Sequence, residues 1–284
     1  MKGTARTYRI GLRRALLETR ISLTTPSDLM GSLILIAIAL IVLVFMRDVE
    51  VDDSPISLGA MNLPSLIGMM LVFGGIVGIV GVLVMDRTSG TLLRVKSIPD
   101  GMTGYLVGHV GSQSIWAGLG VLVLLGVGLV LFDEIEFGTP DRWLMFLAVV
   151  LLSLAATMPI GAVLGALIDN PRNMGLVMLP MMGMVFVSGI FYPIAALPGW
   201  LQAIGQALPM YWAGLGMRHA LLPDSAVAVE IGDSWRTATM FAVLAVWAVV
   251  AMAFAPKLLR RMARRESGSS LEERRRAVQK EWGG

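Results

Sequence analysis

The residues of this chain that could do chemistry are few, and their types point to recognition rather than catalysis. The densest group is a polar stretch between two long apolar segments, Asp86 to Met102, reading D-R-T-S-G-T-L-L-R-V-K-S-I-P-D-G-M. Gly90 falls where a turn is expected. Thr91, Leu92, Leu93 and Val95 follow as an apolar run carrying Arg94 and Lys96, and Pro99 stops it. A short helical turn with Leu92, Leu93 and Val95 on one side and Arg87, Arg94 and Lys96 on others can insert into a partner's cleft.

Catalytic constellations are absent from the sequence. The two histidines, His109 and His219, are far apart, and nothing has metal-ligand spacing. There is no cysteine, which excludes disulfides, thiol chemistry and cysteine metal sites. No G-x-x-x-x-G-K-[ST] phosphate loop is present, so the chain does not hydrolyse ATP by that route. No metal and no cofactor is assigned to it. Ionisable residues inside membrane spans mark ion or proton paths, and here only His109 falls within one. Its expected role is packing or a hydrogen bond to Ser112 or Gln113.

The elements that hold these residues are membrane helices. The chain is 56% hydrophobic and only 15% charged, with a mean hydropathy of +0.74, against roughly 25% charged residues in soluble domains. Six apolar runs approach or exceed the ~20 residues that cross a bilayer as helix: 29–46, 63–85, 103–132, 143–168, 174–192 and 237–256. Lipid offers backbone groups no partners, so these runs are helices, and the alternation of a membrane barrel is absent. The expected fold is an all-α membrane protein.

Basic residues set the orientation, because they gather on the cytoplasmic side. The segment before the first run, the stretch 86–102, the turn holding Arg172 and the tail after Pro256 carry nineteen of the 23 basic residues. The other side has Arg47, Arg142, Arg218 and Arg236, and the acidic clusters 48–53 and 133–136. Six spans with both termini in the cytoplasm fit this division. Arginine outnumbers lysine nineteen to four, in keeping with a GC-rich bacterial genome and a bacterial cytoplasmic membrane. Trp143, Tyr192, Trp200, Tyr211, Trp212 and Trp235 fall near the outer ends of the spans, where amphipathic rings favour the interface.

Three flanking elements complete the division of the chain. Residues 1–28 form an interfacial helix with Arg6, Arg9, Arg13 and Arg20 on one stripe, suited to lipid phosphates. Pro26, Ser27 and Asp28 break and recap the chain before the membrane domain, 29–256. Within it, residues 193–222 are apolar but cut by Pro193, Pro198, Gly199 and Pro209. Two short helices that dip in from the outer face and return fit this stretch. A seventh span would put the basic tail on the wrong side. Residues 257–284 are that tail, with a capping pattern at Ser270–Glu273, an i, i+4 pair of Glu272 and Arg276, and a short helix expected to end near Trp282.

These features together resemble the ABC-2 type permeases, in the branch that includes drug- and antibiotic-resistance exporters. The resemblance is carried by the D-R-x-x-G-T-L-x-x-x-x-x-x-P element after the second span and by S-G-I-F-Y-P-I-A-A-L-P-x-W-L-Q-x-I-x-Q-x-L-P before the sixth. It implies the ABC-2 (type V exporter) fold, with the outer hairpin re-entrant. It also implies a coupling helix, docking on a separate ATPase, at Asp86, Arg87, Gly90, Thr91, Leu92, Leu93, Arg94 and Pro99. That ATPase, present in two copies, would bind the ATP and magnesium. A second permease, identical or homologous, would complete one export path for an amphipathic drug-like compound or a lipid. The sequence departs from the family at Thr88, where many members are acidic, so one polar contact to the ATPase is lost. Residues that could face the path are Asn62, Ser65, Gly68, Gly74, Gly75 and Gly78 of the second span, and Met178, Met181, Met182 and Ser188 of the fifth. Membrane lipids are expected partners and nucleic acid is not. Two other classes stand beside this reading: a scaffold or assembly factor using the same loop, and an ion-coupled transporter, for which buried charges are missing.

Overall fold

Apolar runs with no water to satisfy their backbone close their hydrogen bonds internally, and helix accordingly dominates. The computed structural model describes residues 2–49, 56–98, 101–168 and 170–265. Its α-helices are α1 (Lys2–Thr24), α2 (Pro26–Phe45), α3 (Leu58–Phe73), α4 (Ile79–Ser89), α5 (Thr91–Lys96), α6 (Gly101–Leu131), α7 (Pro140–Leu167), α8 (Gly175–Val187), α9 (Gly199–Ala207), α10 (Pro209–Leu221) and α11 (Thr237–Arg265). No β-strand occurs among the described residues. Pro99, the acidic residues Glu50, Asp52 and Asp53, and the tail features at Ser270–Glu273, Arg276 and Trp282 lie outside the described residues.

Among the described residues, four helical stretches are long and apolar enough to cross a membrane: Leu58–Ser89, Gly101–Leu131, Pro140–Leu167 and Thr237–Met262. The runs at 29–46 and 174–192 coincide with shorter apolar helices, Ile36–Phe45 and Pro171–Val187. The Leu58–Ser89 stretch joins α3 to α4 through one π-helical segment, Gly74–Gly78. There α7 comes in close. A Cβ at Gly161 would lie 2.6 Å from the Ile76 carbonyl oxygen, so only glycine permits the crossing.

The core lies where α3 and α7 enclose α10. Nearly all of α10 is buried, from Pro209 to Leu221. Tyr211 and Trp212 are therefore core residues, not the interface rings that the sequence suggests. The Trp212 indole donates to the Gln206 carbonyl at 2.6 Å, which satisfies its one polar atom. Trp200, on α9, stays exposed.

At the other end, α1 lies along α6. Small residues allow the approach: a Cβ at Gly11 would meet Val107, and one at Gly111 would meet Ala15. Ile10, Leu17 and Ile21 on one flank of α1, and Leu12, Leu16 and Leu23 on the other, remain exposed. Pro26 opens α2 in its first turn, where its missing N–H costs nothing.

The last helix does not end at Pro256. Met240, Leu244, Ala248, Ala251, Ala255, Leu259 and Met262 form one buried stripe that runs past the proline. A proline inside a helix removes one hydrogen bond, and packing on both sides holds the helix through it. Residues Lys257 to Arg265, read from sequence as tail, are thus helical, and α11 reaches α5.

Candidate functional site

The polar stretch after α4 folds as helix, turn and helix. Gly90 caps α4 in the left-handed conformation, with φ 80° and ψ 8°. Glycine adopts this freely, whereas other L-residues are strained there by roughly 1–2 kcal/mol. Local hydroxyls trim the turn: Thr88 donates to the Met85 carbonyl at 2.8 Å, and Ser97 to that of Arg94 at 2.7 Å. Ser89 and Thr91 share a hydrogen bond of 2.9 Å.

The short helix α5 turns its apolar side inward. Leu92 is 1% exposed and Val95 nearly as buried, in the same apolar cluster as Leu259 and Met262 of α11. Leu93 is half-buried. Leu92 and Val95 therefore anchor α5 to its own chain, and the face offered outward is Arg94, Ser97 and Ile98. The alternation of apolar and basic residues is real, but its apolar half is already used.

Arg87 also points inward. It is 2% exposed, and its guanidinium donates to the carbonyls of Ile168 at 2.5 Å and Ala166 at 2.8 Å. Those groups close α7, whose last turn has no basic residue of its own. A cation at a helix C-terminus satisfies orphan carbonyls and the negative end of the dipole. Arg87 thus fixes the end of α4 to the end of α7.

Asp86 opens onto a polar cluster built from three helices. Its Oδ2 lies 3.1 Å from Nε2 of His109 on α6. The other ring nitrogen, Nδ1, lies 3.1 Å from Oε2 of Glu18 on α1. Arg14 donates through Nε to Glu18 Oε1 at 2.6 Å, and its Nη2 stands 3.2 Å from His109 Nε2. Ser112 donates to Glu18 Oε2 at 3.1 Å. The Tyr105 ring meets His109 edge-on at 4.4 Å, with the Arg14 guanidinium 5.0 Å from its centroid. Burial alone would raise the Glu18 carboxyl, but the hydrogen bonds from His109 and Arg14 outweigh it and hold the group at about 2. The Ser112 hydroxyl also bonds the His109 backbone carbonyl, but the imidazole itself serves Asp86 and Glu18. Nothing in the spacing of residues 14, 18, 86 and 109 reveals this meeting.

The path residues do not converge on one surface. Asn62 and Ser65 are buried in the first half of α3. They border a cavity of about 30 Å³ shared with Tyr192, Arg218 and Glu230, large enough for a water. Arg218, 5% exposed, donates to Glu230 Oε1 at 2.5 Å and to the Ser65 hydroxyl at 2.7 Å. In the sequence Arg218 counts only toward the charge balance that sets orientation, and Glu230 belongs to no motif. An arginine in a mostly apolar 13-residue helix is the signal that could have found the pair. Met178, Met181, Met182 and Ser188 do not line that cavity. Met181 and Ser188 are buried, while Met182 is exposed on α8. Gly68 lies against the backbone of Gly214, Gly75 against Thr157 and Gly78 against Gln113, while Gly74 faces open space. Among the described residues, no set of three or more metal-ligating side chains converges.

Compared with protein-family models, residues 20–222 match the one described as ABC-2 type transporter. No curated protein matches the chain.

Proposed function

The chain belongs to the ABC-2 type transporter family, and we propose that it is the permease subunit of an exporter driven by a separate ATPase that docks on the α4–α5 turn. The family is the membrane part of ABC transporters, which draw on an ABC ATPase partner, and the multi-pass apolar helices accord with that role. The observation that carries the reading is the family match, which spans the α4–α5 turn and ends with α10. The geometry adds a reason for the docking position. α5 is braced from within by Leu92 and Val95 and turns Arg94 and Ile98 outward, as a rigid element that receives force should.

The cargo of this reading is an amphipathic compound or a lipid. An open cleft of about 810 Å³ lies between α2, α3 and α6, walled by Leu33, Ile36, Met69, Met70 and Trp116, with Gln113 and Ser22 as polar side chains. Drug-sized molecules occupy sites of roughly 300–1,000 Å³ that are mainly apolar with few polar groups. A second permease completes the path, in a bacterial cytoplasmic membrane with both termini inside.

The test is isolation of the tagged chain from its native membrane. An ATP-binding cassette ATPase should be retained, and Arg94→Glu with Ile98→Asp should reduce that retention about tenfold, equivalent to roughly 1.4 kcal/mol of binding. Retention that ignores these changes would reject the docking position. A scaffold would retain partners without cargo-stimulated ATP hydrolysis.

A further inference from the structure

The cytoplasmic cluster has a feature that the docking role does not require. His109 uses both ring nitrogens, each against a carboxylate from a different helix: Nε2 at 3.1 Å from Asp86 on α4, Nδ1 at 3.1 Å from Glu18 on α1. A neutral imidazole has one donor and one acceptor, and only the imidazolium has two donors. With a neutral ring one carboxylate would face a lone pair at hydrogen-bond distance. With the imidazolium, Arg14 and His109 balance Glu18 and Asp86 and both ring N–H groups find a carboxylate acceptor, while Arg14 Nη2, 3.2 Å from Nε2, is a neighbouring donor and not a partner of that nitrogen. Arg14 then pairs with Glu18 at 2.6 Å and lies near the Tyr105 face.

The location matters as much as the charge. Asp86 immediately precedes Arg87, which fixes α4 to the end of α7. Four residues on is Gly90, whose left-handed backbone turns the chain into α5. On the far side, Glu18 sits on α1, which reaches α6 through small residues. No direct hydrogen bond or ion pair between α1 and α4 occurs among the described residues, so His109 is the group that joins them.

We propose that His109 is a positioning residue that binds α1 and the α4–α5 turn into one moving unit, bridging Glu18 to Asp86. This rests on the permease reading for its purpose, since a tie of this kind makes α1 follow the docking helix when the ATPase moves it. Charge-assisted hydrogen bonds are shorter and stronger than neutral ones, and a bridge whose two ends sit on different helices transmits displacement in both directions.

The absence of native cysteine permits a direct measurement. Spin labels at Leu17→Cys on α1 and Met85→Cys on α4, both exposed positions, report the distance between the two helices in the full chain in lipid nanodiscs. Labelled chain is diluted with unlabelled chain to remove distances between copies. The unaltered network should give one narrow distance. Asp86→Asn, which keeps shape and removes charge, and His109→Leu should each lower the share of molecules at that distance by about twofold or more, an ensemble shift. The double variant should be no worse than either single one, as groups acting through one bridge are not additive. An unchanged distribution in Asp86→Asn, or full additivity, overturns the proposal. Should His109→Leu fail to fold, Asp86→Asn decides alone. The result is separable from the permease reading: lack of any retained ATPase removes that reading and leaves the distance measurement standing. Retained ATPase with insensitive distances removes only the bridge.

Discussion

Two of the polar clusters among the described residues, one around α10 and one beside α6, are built to opposite designs. Around α10, Arg218 and Glu230 are sealed from water, with Ser65 completing the set and the pair holding α10 and the segment after it to α3. Beside α6, the side chains of Arg14, Glu18, His109 and Asp86 are partly exposed and come from three helices. A sealed pair is costly to break, because each charge would be stranded in a low dielectric. In a partly wetted network the loss of one partner costs less, since water takes up the group left behind. The contrast separates a firmly locked region from one that tolerates change.

The contrast can be broken in graded steps. The largest effect is expected from Glu230→Ala, which strands the Arg218 guanidinium. Thermal melting in detergent should show a loss on the order of 3–5 kcal/mol, while replacing both partners by apolar residues of similar size should cost far less. Next comes Leu92→Ala, which opens a cavity behind α5 at about 2–3 kcal/mol. Gly90→Ala follows at about 1–2 kcal/mol, because its φ of 80° is strained for alanine. Arg94→Ala, on the outward side of α5, should change stability by only about 0.5 kcal/mol while weakening ATPase retention.

The smallest effect is acid sensitivity at Glu18. Its folded value of about 2 lies below the ordinary 4.5, so its contribution is present above about pH 4.5 and is lost as pH falls through about 2. Its partial exposure keeps that contribution small. In an acid melting series the unaltered chain should lose more stability across that window than Glu18→Gln. Equal losses would place Glu18 outside the network.

The helices themselves were legible in sequence, because long apolar runs between polar turns leave the backbone no alternative. Gly90 was legible as a turn, and Pro198 and Pro209 as breaks, since those residues act on their own backbone. The side-chain destinations were not. Arg87 and Leu92 read as surface residues of a docking loop, yet one caps α7 and the other is core. Both facts depend on what packs alongside from 70 or more residues away. The basic residues after Pro256 read as the stop of the last span, whereas a buried stripe carries the helix on through Leu259 and Met262. His109 read as a local packing residue for the same reason: its partners lie on α1 and α4, and no periodicity links them. Arg218 read as a topological charge, since its carboxylate comes from the irregular segment after α10.

The account rests on the α4–α5 turn being where an ATPase attaches. Single cysteines at Arg94 and Ile98, on the outward side of this turn, and at Trp200 on α9, each carrying a photoreactive cross-linker, test this in native membranes. Mass spectrometry should identify an ATP-binding cassette ATPase joined to the first two positions and not to the third. Cross-linking absent from Arg94→Cys and Ile98→Cys, or equally strong from Trp200→Cys, would contradict it.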